Sequence, residues 1–375
     1  MPESYPRISF NEDGICNFCL DYKPFHEYLG REKLFDILNS EKKTGEYDCI
    51  VPMSGGKDST YILYYIVKEL KLNPIAVSYD SGFQTEIAKE NMRNACKILG
   101  VPFEIVKSPK NIRTKLLKES LWISKKVGYL TDYCGNCEAI LRMISMNTAR
   151  KYGAPFVLWG ASALETLHNE FYSEYRSTGK QKKSHLSFLI VKLRTKIKVV
   201  LKDLRKLSRI PRKIYPYVGY HSIKYSIYSM LQRREFHFPL RYILRPHSVP
   251  FFSEKNPIFI HFFDFIPWDS INCIKILEDE LNWKHPVDKV SRFDCSIHCL
   301  ANYHYLKEYG ISHDGVNLCN FVRENRMSRG EAQARERDVV DSTDKECQEL
   351  LNVIGLKKFG NQKVKKWGKQ KSLFS

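Results

Sequence analysis

The chain has 375 residues, a formal net charge of +18 and eleven cysteines. That length can bury a large core and suggests two to three domains, or one domain with appendages. No run of eighteen apolar residues marks a membrane span, and the polar start MPESYPRISFNEDG lacks the order of a signal peptide, so a cytoplasmic protein is expected, peripheral association with the inner membrane being the alternative.

Residues 1–40 form an N-terminal segment marked by Cys16 and Cys19 in GICNFC. In a reducing compartment such a pair binds metal or acts chemically more often than it forms a disulfide, because Cys-x-x-Cys spacing turns both sulfurs to one side of a tight turn. Two unrelated buried thiols are the plainer alternative. Residues 41–170 read as an α/β domain. Residues 47–53 are a short apolar run suited to a buried parallel strand, and Tyr61, Ile62, Tyr65, Ile66 and Leu70 then recur at helical spacing. The intervening SGGKDS therefore opens a helix, where unpaired N–H groups and the positive dipole end favour an anion. Gly55 and Gly56 let the backbone wrap closely, Lys57 adds a mobile cation, and Ser54, Ser59 and Thr60 add hydroxyl donors. A Walker A loop needs four residues between its first glycine and its Gly-Lys-Ser/Thr, and these are missing, so this is a phosphate loop of another kind.

A second strand, PIAVSYDSG at residues 74–82, follows one helix, the βαβ spacing of a doubly wound parallel sheet. Asp80 at its carboxyl end either faces the ligand crevice or caps the next helix. Cys134 and Cys137 form a second pair in YCGNCE, and APFVLWGAS, residues 154–162, reads as a later strand that ends at Gly160. Residues 171–250 are a basic segment: positions 176–245 hold nineteen Lys or Arg against only Asp203 and Glu235. Leu186, Ile190, Leu193, Ile197, Leu201 and Leu204 recur there at helical intervals with lysines on other faces, a basic amphipathic helix. It suits a second subunit, an anionic membrane or nucleic acid, or simply forms a solvated face packed on its own domain; nucleic acid is the less favoured partner and a homodimer is one of the readings. Residues 251–345 carry Cys295 and Cys299 in DCSIHC, one residue wider than the other pairs, and residues 346–375 are a basic tail. The single cysteines 49, 96, 273, 319 and 347 read as small apolar residues.

SGGKDS resembles the pyrophosphate loop of the PP-loop ATPases, whose adenine nucleotide alpha hydrolase-like domains adenylate a carbonyl oxygen and release pyrophosphate. The resemblance implies that Ser54, Gly55, Gly56, Lys57, Asp58 and Ser59 bind ATP, with Lys57 and Asp58 catalytic and Asp58 a magnesium ligand. It also implies that Asp80, Gly160 and Glu165 approach the nucleotide. FNEDGICNFC, SGGKDSTY, CGNCE, LNWKHPVDKVSRFDCSIHC and DGVNLCNFVRENRMSRGEA, in this order, are similar to the N-acetyl sugar amidotransferase family of PP-loop enzymes, which serves O-antigen and flagellin-glycan pathways. That family converts the acetamido group of a nucleotide sugar to an acetamidino group. By this resemblance the substrate is a UDP-linked acetamido sugar, a uronate by preference, held by Arg292, Asp294, His298, Arg323 and Arg326. Ammonia is expected from a glutaminase and synthase pair like those of histidine biosynthesis, since no cysteine here can be assigned as a glutaminase nucleophile. The related thiolases suggest that Cys134 and Cys137 join Cys295, with Cys299 next to it, around zinc or a [4Fe–4S] cluster. Family members commonly carry a further N-terminal Cys-x-x-Cys that this sequence does not show, so Cys16 and Cys19 either recruit ligands such as His26 or another pair, or are vestigial. The rival reading is a PP-loop tRNA thiolase with an iron–sulfur cluster; a nucleotide-binding scaffold is the non-enzymatic alternative.

Overall fold

The computed structural model describes residues 1–22, 28–40, 45–108, 112–127, 133, 135–160, 224, 257–286 and 292–356. His26, Cys134, Glu165 and nearly all of the basic segment, with its expected amphipathic helix, lie outside the described residues. In chain order the elements are α1 (Asn17–Leu20), α2 (Arg31–Ser40), β1 (Cys49–Pro52), α3 (Lys57–Lys68), β2 (Pro74–Asp80), α4 (Glu86–Leu99) and β3 (Phe103–Lys107). They continue with α5 (Ile112–Val127), α6 (Gly135–Tyr152), β4 (Phe156–Trp159), β5 (Ile258–His261), a 3₁₀ turn at Phe262–Asp264, α7 (Ser270–Leu281), α8 (His298–Tyr309), α9 (His313–Arg323) and α10 (Arg329–Val353).

The five strands form one sheet in the order β3-β2-β1-β4-β5, and every neighbouring pair is parallel. The expected doubly wound parallel sheet is therefore what the chain builds. Ile50 of β1 lies opposite Ile75 of β2 and Val157 of β4, which fixes the register at the centre. Both faces are covered, as a parallel sheet requires. Cys49, Val51 and Met53 bury one face with Ala76, Leu158 and Ile260 under α3, α4 and α7, while Ile50, Ile75, Val77 and Val157 bury the other under Ile140, Met143 and Ile144 of α6. Strand order reverses between β1 and β4, so the ligand crevice of this topology opens at their carboxyl ends, where the loop 54–59 and Gly160 stand.

The edge strands carry weaker sequence signals. Glu104 interrupts the apolar pattern of β3, and its carboxylate takes bonds from Lys151 Nζ at 2.7 Å and the Tyr152 hydroxyl at 2.5 Å. β5 is four residues long and reaches the sheet from beyond the basic segment. Its continuation drives Phe262 fully into the core, edge-to-face with Tyr65 of α3 at 5.2 Å between ring centroids. The carboxyl-terminal part is helical, as expected: α8, α9 and α10 pack on one another. α9 and α10 start at Ser312 and Ser328, whose hydroxyls accept from Gly315 N at 2.7 Å and Glu331 N at 3.1 Å. Among the described residues no helix is long and apolar enough to cross a membrane.

If β5 and its turn are part of the main core, Phe262→Ala should lower unfolding free energy by about 3–5 kcal/mol in urea titration. Ile258→Ala, at the 39% exposed start of β5, should cost a small fraction of that.

Candidate functional site

The site begins with a turn that only glycine can make. Gly55 has φ +84°, and a Cβ there would lie 2.2 Å from the carbonyl oxygen of Ala88 in the first turn of α4. Its own carbonyl faces away from the crevice, accepting from Trp283 Nε1 at 3.1 Å and Asn91 Nδ2 at 3.4 Å. Asn91 is buried and also clasps the backbone of Lys284 through Lys284 N to Oδ1 and Nδ2 to Lys284 O, both at 2.9 Å. Gly56 is the N-cap of α3, so the N–H groups of Lys57, Asp58 and Ser59 begin a helix without intrahelical acceptors. Ser59 Oγ bonds back across the loop, accepting from Ser54 N and donating to Gly56 O, each at 3.2 Å. Ser54 Oγ in turn accepts from Gly56 N at 3.3 Å. Backbone donors, short hydroxyls and a helix dipole converge on one concave turn, an arrangement that holds a phosphate. Gly160, after β4, packs so closely on α3 that a Cβ would stand 3.0 Å from Ile62 Cδ1.

A distant segment is sewn onto this loop. Thr85 caps α4 and also donates its hydroxyl to Phe293 O at 2.9 Å, while Ser296 N reaches Phe83 O at 2.9 Å and Gln84 bridges Cys295 antiparallel. The pairing delivers Asp294 to the loop: its Oδ2 would be 3.5 Å from a Cβ on Gly56, and Ser54 hydrogen-bonds its carboxylate. Burial alone would raise the Asp294 pKa, but the charges of Arg292 and His298 and the bonds from Ser54 and Arg292 outweigh it and hold the carboxyl below its usual range. A buried, ionised Asp294 thus sits against the loop, a placement that the sequence reading, which put it with the sugar, did not foresee.

Lys57 and Asp58 are held as a pair. Lys57 Nζ lies 3.0 Å from Asp58 Oδ2, and Trp268 Nε1 donates to Asp58 Oδ1 at 2.7 Å. The Trp268 ring also faces the ammonium, 5.1 Å from Nζ. Trp268 stacks on Phe321 at 5.0 Å, and Arg326 donates to its carbonyl and to the Tyr28 hydroxyl. Arg326 therefore meets the loop through Trp268. Arg323 donates to Asn320 Oδ1 at 2.9 Å and to Cys19 Sγ at 3.4 Å. Arg292 bonds Asp294 Oδ1 at 3.2 Å with its side chain 58% exposed. Asp80 accepts from Gly82 N at 2.8 Å and lies 3.9 Å from Lys89, at the end of β2 that borders the crevice.

Of the cysteines, Cys16 and Cys19 approach to 3.5 Å between sulfurs. Burial opposes ionisation of Cys16, yet hydrogen bonds from Cys19 and the nearby Arg323 charge bring its pKa down. Cys299 donates to Ser296 O at 3.2 Å and hydrogen-bonds Cys347, which, with burial, pushes the Cys347 thiol far up. Cys137 packs with the α6 core and Cys295 with the α8–α10 core. Among the described residues the group of three or more ligand-type side chains drawn together is His298, His313 and Asp314, without a cysteine.

His298, placed with the substrate on sequence grounds, bonds Asp314 Oδ1 at 2.7 Å through Nε2. Burial would raise the Asp314 pKa, but His298 and His313 hold it well below its usual range. Glu336 of α10 underlies the same turn and accepts from Ser312 N at 2.7 Å and Ser312 Oγ at 2.5 Å. Burial, reinforced by the Asp314 charge and only partly offset by Ser312, lifts Glu336 to about 7. Sequence reasoning missed Asn91, Trp268, Trp283, Asp314 and Glu336. Trp283 and Asp314 lie inside motifs that were legible, whereas Trp268 and Glu336 carried no local signal.

No protein-family model matches the chain. Uncharacterized protein MJ1599 of Methanocaldococcus jannaschii is 36% identical over 93 residues, 24% of this chain and 34% of that protein. Among solved structures, NMN synthetase from Francisella tularensis is 21% identical with a TM-score of 0.27, covering 38% of this chain and 56% of that one. NH3-dependent NAD synthetase from Campylobacter jejuni is 15% identical with a TM-score of 0.29, covering 52% of this chain and 93% of that one. The chain thus spans about a third of the curated relative and just over half of the NMN synthetase it matches.

Glu336 makes the turn beneath His313 pH-sensitive in a defined direction. Its folded pKa lies above the unfolded value, so its contribution is present below about 4.5 and lost as pH rises through about 7. Glu336→Gln keeps an acceptor for Ser312 without the charge. Its stability relative to the parent should rise between pH 5 and pH 8 by on the order of 2 kcal/mol, read from urea titrations at both pH values.

Proposed function

We propose that the chain is an ATP-dependent, AMP- and pyrophosphate-forming carbon–nitrogen ligase that converts the acetamido group of a UDP-linked sugar, a uronate by preference, to an acetamidino group for a surface glycan such as O-antigen. The observation that carries the adenylation step is the loop 54–59: a glycine-enforced turn at a helix N-terminus, at the point where strand order reverses, with Lys57 beside it. The choice of acetamido sugar rests on the order of the sequence motifs, and the docking of Asp294 against the loop supports it by joining the carboxyl-terminal motif to the nucleotide site.

An acetamide is a poor electrophile, so its oxygen must first become a leaving group. Its attack on the α-phosphate of ATP gives an O-adenylyl imidate and pyrophosphate; ammonia then adds at carbon and AMP departs, leaving the amidine. The loop N–H groups and the Ser54 and Ser59 hydroxyls would bind the pyrophosphate portion, and Lys57 would exchange its contact with Asp58 for the charge developing there. Hard carboxylate oxygens suit magnesium, and Asp58 and Asp294 flank the loop; bound there the ion would neutralise phosphate charge. Ammonia delivery by a glutaminase and synthase pair belongs to the same proposal.

The test is mass spectrometry of UDP-2-acetamido and 2,3-diacetamido uronates incubated with the chain, ATP, magnesium and an ammonium salt. Replacing oxygen by NH shifts the sugar by about −1 mass unit, with stoichiometric AMP. Lys57→Met should lower that rate about a hundredfold or more while leaving the fold intact. No product across these sugars, with pyrophosphate release stimulated by tRNA alone, would replace this reading with the thiolase.

A further inference from the structure

We propose that His298, His313 and Asp314 form a binding site for a divalent transition-metal ion of the zinc class, built without cysteine and separate from the magnesium that accompanies ATP. The three ligand atoms lie within 4.8 Å of one another, close enough for one ion to span with small side-chain movements. They come from two helix starts, His298 opening α8 and His313 with Asp314 opening α9. The two imidazoles stand at 86° with centroids 5.6 Å apart, so they approach the same carboxylate from different directions. His298 Nε2 is 2.7 Å and His313 Nδ1 3.9 Å from the same oxygen, Asp314 Oδ1.

The surroundings are those a ligating carboxylate requires. Asp314 Oδ2 is anchored by Asn302 Nδ2 at 3.0 Å, and Asn302 Oδ1 accepts from Asp314 N at 3.1 Å, so the carboxylate is oriented by a buried amide with Oδ1 turned to the imidazoles. The Tyr305 and His313 rings pack at 84° with centroids 5.0 Å apart, which limits how far that imidazole can swing. Exposure is graded across the group, 5% for the His298 side chain, 16% for Asp314 and 25% for His313. The buried end fixes the ion, and the His313 end leaves a coordination position for water or a substrate oxygen, as three-ligand zinc sites do. Two imidazoles and one carboxylate favour a borderline ion over magnesium, which prefers oxygen alone. The ion would take the place of the hydrogen bond between His298 and Asp314, whose proton would leave to solvent. The alternative occupant is that proton alone, with the cluster an ordinary buried ion pair.

The experiment titrates the metal-stripped full chain with cobalt(II) as a probe, with zinc as competitor, and reads the absorption difference between the parent and His313→Ala. The expected result is one equivalent lost in His313→Ala, with weak visible ligand-field bands and no thiolate-to-cobalt charge-transfer band in the difference spectrum. Asp314→Asn should weaken that equivalent by at least tenfold, and Cys16→Ser/Cys19→Ser should leave it in place. Circular dichroism controls for folding, and the quarter-exposed His313 is the substitution least able to disturb it. Binding unchanged in both His313→Ala and Asp314→Asn, no cobalt bound by the folded parent, or a difference spectrum with thiolate charge transfer would each overturn the proposal. None of these readings depends on turnover of a sugar, so the site can fail while the ligase reading stands, and the reverse.

Discussion

The close approach of Gly55 to the backbone of Ala88 is the contact on which the rest of the arrangement depends. With 2.2 Å between a notional Cβ and the Ala88 oxygen, the loop after β1 and the first turn of α4 interlock only because position 55 has no side chain. The same turn, at φ +84°, sends the Gly55 carbonyl to the buried Trp283 and Asn91 and leaves the following N–H groups to open α3. Any other residue would meet an unfavourable backbone region and a backbone clash together, with nothing flexible to yield. One geometric requirement therefore couples strand, loop, two helices and the segment that carries Trp283.

Electrostatics then explains why so much of the carboxyl-terminal half gathers around this loop. A polyanion site needs positive charge, yet the described loop contributes Lys57 alone and places Asp58 and the buried Asp294 beside it. Those groups contact each other: Asp58 holds Lys57, Trp268 holds Asp58, and Arg292 holds Asp294. Both ends of the lysine contact are less than a quarter exposed, so screening is incomplete and the pair is positioned rather than loosely solvated.

The central strands and the loop were legible because their signals are local: β-branched apolar runs, paired glycines and a helical repeat within some twenty residues. β3 and β5 were not, because an edge strand is half solvated and tolerates Glu104 or a four-residue length. The roles of Arg323 and Arg326 were out of reach for another reason. Both lie in a motif that reads as anion binding, and their partners, Cys19, Tyr28 and the Trp268 carbonyl, come from segments more than fifty residues away. Arginine at such a place is equally able to grip a phosphate or to fasten a backbone.

The three arginines of the carboxyl-terminal motifs differ in what each one fastens. Arg326 donates to the Trp268 carbonyl and to Tyr28, and Arg323 donates to Asn320 and Cys19. Arg292, more than half exposed, bonds Asp294, whose carboxylate lies against the loop 54–59. The same bond helps hold the Asp294 carboxyl below its usual range, so replacing Arg292 would disturb the loop. Arg292, Asp294 and the loop 54–59 are one electrostatic unit, joined at Asp294.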